Sequence, residues 1–376
     1  NRVTNYMSNN QIKKKNLLII CRGAGDLATG IIHRLHRAGH RVIALETDYP
    51  AAIRRQVSFC EAVYDGSATV EGLTARLLPA LNDAETISGI NDTPQAHIAS
   101  QKWKSSAIEA VLEAGEVPLL IDPTGESIAL FRPDVVVDAI IAKKNLGTTI
   151  NMAPLVIGVG PGFTAGKDVH LVIESMRGHN LARIITDGMA QPNTGVPGNI
   201  AGFTSERVIH APAAGYIHDV RKIGDIVQKG DEIARIYPDK ESYDNALSEY
   251  VSVNATITGI IRGLIREGYY FREGFKIADI DPRESELTNC FTISDKARSI
   301  AGSVLEAVAE AIKHESAPVI YTSGANNIFR YPELSDEKNA QRLISTFEEK
   351  EELAKLLEDN LDKNSESGSP VSYTHL

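Results

Sequence analysis

The chain has 376 residues, of which 43% are hydrophobic and 23% charged, and its formal net charge is −10. That length suits about two or three domains, and the composition argues against global disorder. The acidic balance argues against nucleic acid or an anionic membrane as main partner, because both reward Lys and Arg.

Three cysteines, Cys21, Cys60 and Cys290, show no paired spacing, so neither a disulfide framework nor a zinc site is suggested. No apolar run nears the roughly 18 residues of a membrane span, and no signal peptide is legible. The expected place is a reducing cytoplasm. Met7 reads as the natural start, and VSYTHL at 371–376 resembles a translated sequencing adaptor. Both ends are set aside from fold reasoning.

Residues 17–20 form a short apolar run, as in a buried parallel strand. A turn follows at Gly23 and Gly25, and then Leu27, Ile31, Ile32 and Leu35 recur at helical spacing as far as Gly39. Residues 42–45 are the next strand, closed by the acidic Glu46. Strand, turn, helix and strand make a βαβ unit with G-x-G-x-x-A ending at Ala28. Glycines admit a pyrophosphate, a helix N-terminus attracts it, and an acid ending the second strand suits a ribose hydroxyl. Gly23, Ala24, Gly25, Asp26, Leu27, Ala28 and Glu46 are therefore the cofactor-binding candidates. Asp26 pulls the other way: as an N-cap it would repel a phosphate, leaving a turn that caps its own helix and binds nothing. Arg54 and Arg55 read as a solvated pair. His36 and His40 have i,i+4 spacing, but interleaved arginines favour a solvated face over a metal site.

Residues 117–121 and 135–137 are further buried strands, ending at Asp122 and Asp138. Ligands of open α/β sheets bind beyond such ends; a helix cap is the competing use. Lys143 follows closely. The stretch VIGVGPGFTAGKDVH lacks the Walker pattern, since Pro161 and Asp168 stand where Gly and Ser/Thr are needed. It is left as a glycine loop, with Gly160 and Gly162 as further cofactor candidates. A strand from 168 would put Val169, Leu171 and Ile173 on one face and Asp168, His170 and Glu174 on the other. Arg177 and His179 come next. Asp138, Lys143, Asp168, Glu174, Arg177 and His179 are the candidates for acid–base work, with a wet edge strand as the plain alternative.

An internal repeat follows at an offset of 44. Ala211 matches Ala255, Gly215 matches Gly259, Gly224 matches Gly268, Gly230 matches Gly274, and Ile236 matches Ile280. Neither half could bury its apolar face alone, so two halves packed as a small β-sandwich are expected. The runs A-P-x-x-G and G-D-x-V-x-K-G-D resemble the biotinyl/lipoyl-type barrel-sandwich hybrid. Asp239 and Lys240 fall near its modified lysine, but the connector over 237–251 is longer. A docking module is favoured over a carrier. A helix is expected over 295–314 and an acidic amphipathic helix over 336–361.

RGAGDLATG, FCEAVYDG, AIIAKKNLGT, GVGPGFTAGKDVH, RGHNL, PNTGVPG and DIDPR, in this order, resemble the YqeB-type accessory family of selenium-dependent molybdenum hydroxylases. The resemblance covers about residues 16–312. It implies a Rossmann-like fold and a role in maturing a molybdenum hydroxylase that needs labile selenium, similar to that of the XdhC-type chaperones. It implies no settled reaction.

The expected fold class is α/β: a Rossmann-like doubly wound sheet at 14–205, a duplicated barrel-sandwich-like domain at 206–283, a helical segment at 284–334, and an acidic helix and tail at 335–370. Three functions stay open. One is a maturation protein holding a molybdopterin dinucleotide or NAD(P), with Cys60 as the thiol that could carry selenium or sulfur. The second is an NAD(P)-dependent oxidoreductase, with Lys143 or His179 as proton donor. The third is a non-catalytic adaptor docking the hydroxylase. The metal, and whether the chain forms a homo-oligomer, are left open.

Overall fold

The computed structural model describes residues 16–79, 103, 105–195, 198, 200–246 and 249–314. The chain divides into two compact units, 1–312 with 323–325, and 313–322 with 326–376. Apart from residues 313 and 314, the description concerns the first unit. The acidic helix expected over 336–361 lies outside the described residues.

β1 (Leu18–Arg22), α1 (Asp26–Arg37) and β2 (Arg41–Glu46) form where the apolar periodicity places them. A short helix, α2 (Ala62–Asp65), leads into the hairpin of β3 (Ser67–Val70) and β4 (Leu73–Leu78). Then come α3 (Ser105–Glu113), β5 (Val117–Ile121), α4 (Glu126–Phe131), β6 (Val135–Asp138) and β7 (Leu155–Val159). The series ends with β8 (Thr164–Ala165), β9 (Leu171–Ile173), β10 (Ile184–Ile185) and β11 (Gly188–Met189).

Nine of these strands make one sheet in the order β10-β9-β7-β6-β1-β2-β5-β4-β3. Pairing is parallel from β9 across to β4 and antiparallel at both edges. The chain builds outward from β1 on one side and returns to β6 on the other, so its direction of winding reverses between β1 and β6. The central strands are apolar between their ends because both faces are covered. Ile20, Ile43, Leu120, Val136, Val156 and Val172 share one core with Trp103 and Phe163. The alternation expected from 168 to 174 is not realised, since β9 is only three residues long and Leu171, Val172 and Ile173 are all buried.

The duplicated segment adds β12 (Val208–His210), β13 (Gly215–Asp219), β14 (Ile226–Val227) and β15 (Glu232–Tyr237). After the connector helix α5 (Lys240–Asp244) come β16 (Val251–Asn254), β17 (Gly259–Leu264), β18 (Tyr270–Phe271) and β19 (Lys276–Asp281). They form two four-stranded sheets, β12-β19-β17-β14 and β16-β15-β13-β18. Each sheet takes strands from both halves, and the 44-residue offset turns one order into the other.

The equivalence extends to single bonds. Gly230 N–H reaches the Ala255 carbonyl at 2.8 Å, and Gly274 N–H reaches that of Ala211 at 2.9 Å. Gly215 and Gly259 both have φ +155°, and a Cβ there would lie 2.2 Å from the Tyr237 carbonyl oxygen and 2.3 Å from that of Asp281. Only glycine fits such a crossing. Ile217, Ile233, Ile261 and Ile277 fill the shared core.

α6 (Asp295–His314) matches its predicted span. It buries Ile300, Val304 and Val308, and a Cβ on Gly30 of α1 would lie 2.8 Å from Ala297 Cβ. Arg54 and Arg55 are not a solvated pair. Arg54 is buried and donates to the Asn289 carbonyl at 2.9 Å, while Arg55 Nε donates to that of Leu264 at 2.8 Å. Both tie the segment after β2 to the residues of the duplicated sheets and beyond.

Candidate functional site

At the glycine turn, Gly23 has φ +95°, and a Cβ there would lie 3.0 Å from the Ala139 carbonyl oxygen. The loops after β1 and β6 therefore pack against each other at the point where the winding reverses. Gly25, not Asp26, is the N-cap of α1, and no side chain caps it. Asp26 is the first helical residue, where its charge suits the dipole. Leu27 is half-buried and Ala28 buried.

Ala24 N–H donates to Glu46 Oε1 at 3.0 Å, and Thr47 N–H donates to Oε2 at 2.8 Å. Burial pushes the Glu46 carboxyl above its usual range, against both bonds. The Ala24 carbonyl accepts from Cys60 N–H at 2.9 Å and from Thr29 Oγ1 at 3.1 Å. The acid that would meet a ribose thus binds its own turn.

The other predicted acids are also engaged within the chain. Asp122 accepts N–H bonds from Gly125, Glu126 and Ser127 and caps α4. Asp138 accepts from Thr148 Oγ1 at 2.5 Å and from Ile140 N–H at 3.2 Å, with Arg22 Nη1 at 3.5 Å. Burial raises its pKa, opposed by Thr148 and Arg22. Asp168 accepts from Thr164 N–H at 2.8 Å. His170 Nδ1 accepts from Val156 N–H at 2.9 Å, so the ring is neutral there, and burial lowers its pKa to about 4. Glu174, which is buried, accepts from Met176 N–H at 2.7 Å and Gln191 N–H at 2.8 Å. Asp168, His170 and Glu174 therefore hold three separate pieces of backbone, not one acid–base face. His179 is exposed.

Beyond the carboxyl ends of β6, β7 and β9 lies a cavity of about 660 Å³. Lys143, Pro161 and Arg177 line it from the three loops after those strands. His210 on β12, Lys276 on β19 and Lys296 in the first turn of α6 complete the basic lining, and no carboxylate lines it among the described residues. Lys143 and Arg177 come from the predicted set; His210, Lys276 and Lys296 do not. Glu174 anchors two pieces of its wall, since Met176 and Gln191 both line it. Gly160 and Gly162 flank Pro161 of the lining without lining the cavity themselves, and each makes a close approach. A Cβ on Gly162 would lie 2.7 Å from Lys144 Cα, and one on Gly160 2.7 Å from Ser175 Oγ.

Ile141 and Lys143, both in the lining, have φ +61° and +63°. That is a strained backbone for a β-branched residue, and strain of this kind gathers at ligand sites. Arg177 makes a bidentate pair with Asp295, both bonds 2.8 Å. Burial lowers the pKa of Lys296, and the charges of Arg177 and Lys276 push the same way, against Asp26 and Glu174. The arrangement suits a ligand with several anionic oxygens.

The three cysteines are buried free thiols, and burial pushes the pKa of each upward, including Cys60. Such thiols are poor nucleophiles. No group of three or more His, Cys, Asp or Glu arranged for a metal lies among the described residues. Lys240 is exposed at the start of α5 and pairs with Asp244 at 2.7 Å. No helix among the described residues is long and apolar enough to cross a membrane.

A family model, the HrcA protein C terminal domain, matches residues 272–373. The heat-inducible transcription repressor HrcA of Lachnoclostridium phytofermentans is 41% identical over 73 residues, which is 19% of this chain and 21% of that protein. Among solved structures, the ectoine utilization protein EutE (DoeB) from Ruegeria pomeroyi is 13% identical with a TM-score of 0.21, covering 70% of this chain and 85% of that one. An aspartoacylase family protein from Mesorhizobium loti is 13% identical with a TM-score of 0.23, covering 70% and 84%. Likeness at that level carries no argument.

The Escherichia coli K12 protein YqeB is 46% identical over 291 residues, 77% of this chain and 47% of YqeB, so the chain spans about half the length of that relative. Over the matched residues, the chain belongs to the YqeB family.

Proposed function

We propose that the chain is an accessory protein in the maturation of a selenium-dependent molybdenum hydroxylase, and that it holds a dinucleotide-type cofactor in the basic cavity. The observation that carries the cofactor reading is the lining itself. Lys143, Arg177, His210, Lys276 and Lys296 converge on one space of about 660 Å³ with no carboxylate among its described lining residues. A pyrophosphate-bearing ligand matches that charge. The place supports it too, because open α/β sheets bind ligands beyond the carboxyl ends of their strands, and the cavity lies past β6, next to the reversal between β1 and β6. The hydroxylase link rests on the seven ordered motifs. In this reading the nine-stranded sheet is a Rossmann-like scaffold whose ligand sits past the glycine turn, and the duplicated sheets are a barrel-sandwich module that closes the cavity.

Molybdopterin dinucleotide is favoured over NAD(P) because the seven motifs point to a molybdenum hydroxylase. Glu46, taken by Ala24 N–H, also leaves no free acid for the ribose of NAD in the usual pose.

The test is native and denaturing mass spectrometry of freshly purified chain, from a host that makes molybdenum cofactor and is fed selenium. A released pterin dinucleotide is the expected result. A released nicotinamide dinucleotide would move the assignment to redox chemistry. A bare mass in both modes, with no dinucleotide bound in calorimetry, would overturn the cofactor reading.

A further inference from the structure

We infer that the cavity contains a diphosphate subsite made by Lys143, Arg177, Lys276 and Lys296, in which Asp295 holds Arg177 until the ligand takes it. This rests on the reading of the cavity as a cofactor site and names the part of the ligand that it grips.

Three observations lead there. First, Lys143, Lys276 and Lys296 line one space and form no ion pair among the described residues. A dinucleotide's bridging diphosphate carries about the two negative charges of a single phosphate but spreads them over two phosphorus centres, so its oxygens reach farther apart. A diphosphate can engage all three lysines. Second, Lys296 sits in the first turn of a 20-residue helix, where a cation works against the dipole. A lysine kept there, beside Arg177 and Lys276, is costly to an empty cavity and useful to one holding an anion. Third, Arg177 already binds a planar pair of oxygens. Its two bonds to Asp295 have the fork geometry with which guanidinium grips phosphate.

The pair is built to open. Arg177 is 38% exposed at its side chain and Asp295 71%, so water screens their attraction. Asp295 itself does not line the cavity, whereas Arg177 does. A ligand phosphate within reach of Arg177 competes with a partner that solvent has already weakened.

The subsite also joins two parts of the chain. Lys143 and Arg177 follow strands of the nine-stranded sheet, and Lys276 belongs to the duplicated segment, paired in register with His210. A diphosphate between them would bridge the two.

The test is calorimetry on the full chain with inorganic pyrophosphate, orthophosphate and a pyrophosphate-bearing dinucleotide as probes. Pyrophosphate should bind more tightly than orthophosphate, and 1 M salt should weaken it. Lys296→Gln and Lys276→Gln should each weaken pyrophosphate binding about tenfold, the worth of one charge-assisted contact. Asp295→Asn should tighten it several-fold by freeing Arg177. Asp295→Ser serves if the first variant melts early.

Pyrophosphate binding no better than orthophosphate, or binding that Asp295→Asn leaves unchanged or weakens, overturns the subsite. If a dinucleotide still binds in that case, the cofactor reading stands without it. If no probe binds, both fall.

Discussion

The glycine turn and the basic cavity both lie at the carboxyl ends of the strands of the nine-stranded sheet, and they use polar atoms in opposite ways. At the turn, the acid is consumed locally: Glu46 takes the amides of Ala24 and Thr47, and Cys60 N–H takes the Ala24 carbonyl. At the cavity, cations line the space and no carboxylate does among the described residues. Glu174 spends both oxygens on wall amides while Lys143, Lys276 and Lys296 keep their charges available. A motif that could hold a ligand has become a structural joint, and the basic cavity lies one loop away. The same backbone logic explains both, since buried polar groups are satisfied first and only what is left over can recognise a ligand.

The sharpest way to break this comparison is Glu174→Ala. It strands two part-buried wall amides, so a loss of about 1 to 2 kcal/mol in stability is expected, along with loss of dinucleotide binding. Urea denaturation and calorimetry check the two readouts. Binding at full strength in the variant would show that the wall does not shape the site.

Gly23→Ala tests the joint. The left-handed backbone and the 3.0 Å approach to Ala139 predict a cost of about 2 to 3 kcal/mol, with ligand affinity kept in the folded fraction. Glu46→Gln should cost about 1 to 2 kcal/mol, since an NH₂ now faces one of two donors. Dinucleotide affinity should not change. A tenfold drop on Glu46→Gln with the fold intact would return the ribose to Glu46 and make the turn the site after all.

Lys143→Gln is the complement. Affinity should fall about tenfold while stability stays within about 0.5 kcal/mol. An unchanged affinity would remove Lys143 from the lining that matters.

What could be read in the sequence follows from the range of the forces involved. β1, α1, β2 and α6 were legible because local periodicity and burial agree, as at Ile31, Leu35, Val304 and Val308. The 44-residue repeat was legible because Gly215 and Gly259 occupy equivalent crossings. The exchange of strands between the two halves was not, since nothing local says which half β19 pairs with. Lys143 and Arg177 drew attention by following strand ends. His210, Lys276 and Lys296 lie far apart in sequence and meet only through the fold. One local sign was there: Lys296 stands in a helix first turn, where an acid is preferred. Asp138, Asp168 and Glu174 suggested chemistry because acids after strands often do it. Their carboxylates instead meet donors within the chain, each of them at least one amide two to four residues away, a use that competes at every loop.

The smallest effect expected concerns His170, which bonds Val156 in the first half of β7. Its Nδ1 accepts from Val156 N–H, and burial lowers its pKa from 6.5 to about 4. The unfolded chain therefore takes up a proton before the folded chain does. Stability should be whole above about pH 6.5 and fall as pH drops from there toward 4. With the ring partly solvated, about 1 kcal/mol of loss by pH 5 is expected. Hydrogen exchange at pH 5 and 7 locates it. The Val156 amide should exchange faster at pH 5, relative to its intrinsic rate, while the Ala24 amide keeps its protection. The Glu46 carboxyl, raised by burial, runs the other way. Its ionisation on folding is opposed, so the turn gains from acid until that carboxyl is protonated in both states. If the two amides loosened together at low pH, the joint and the cavity would be one cooperative piece. The separation of the structural turn from the basic cavity would then fail in energy, even though the two are distinct in geometry.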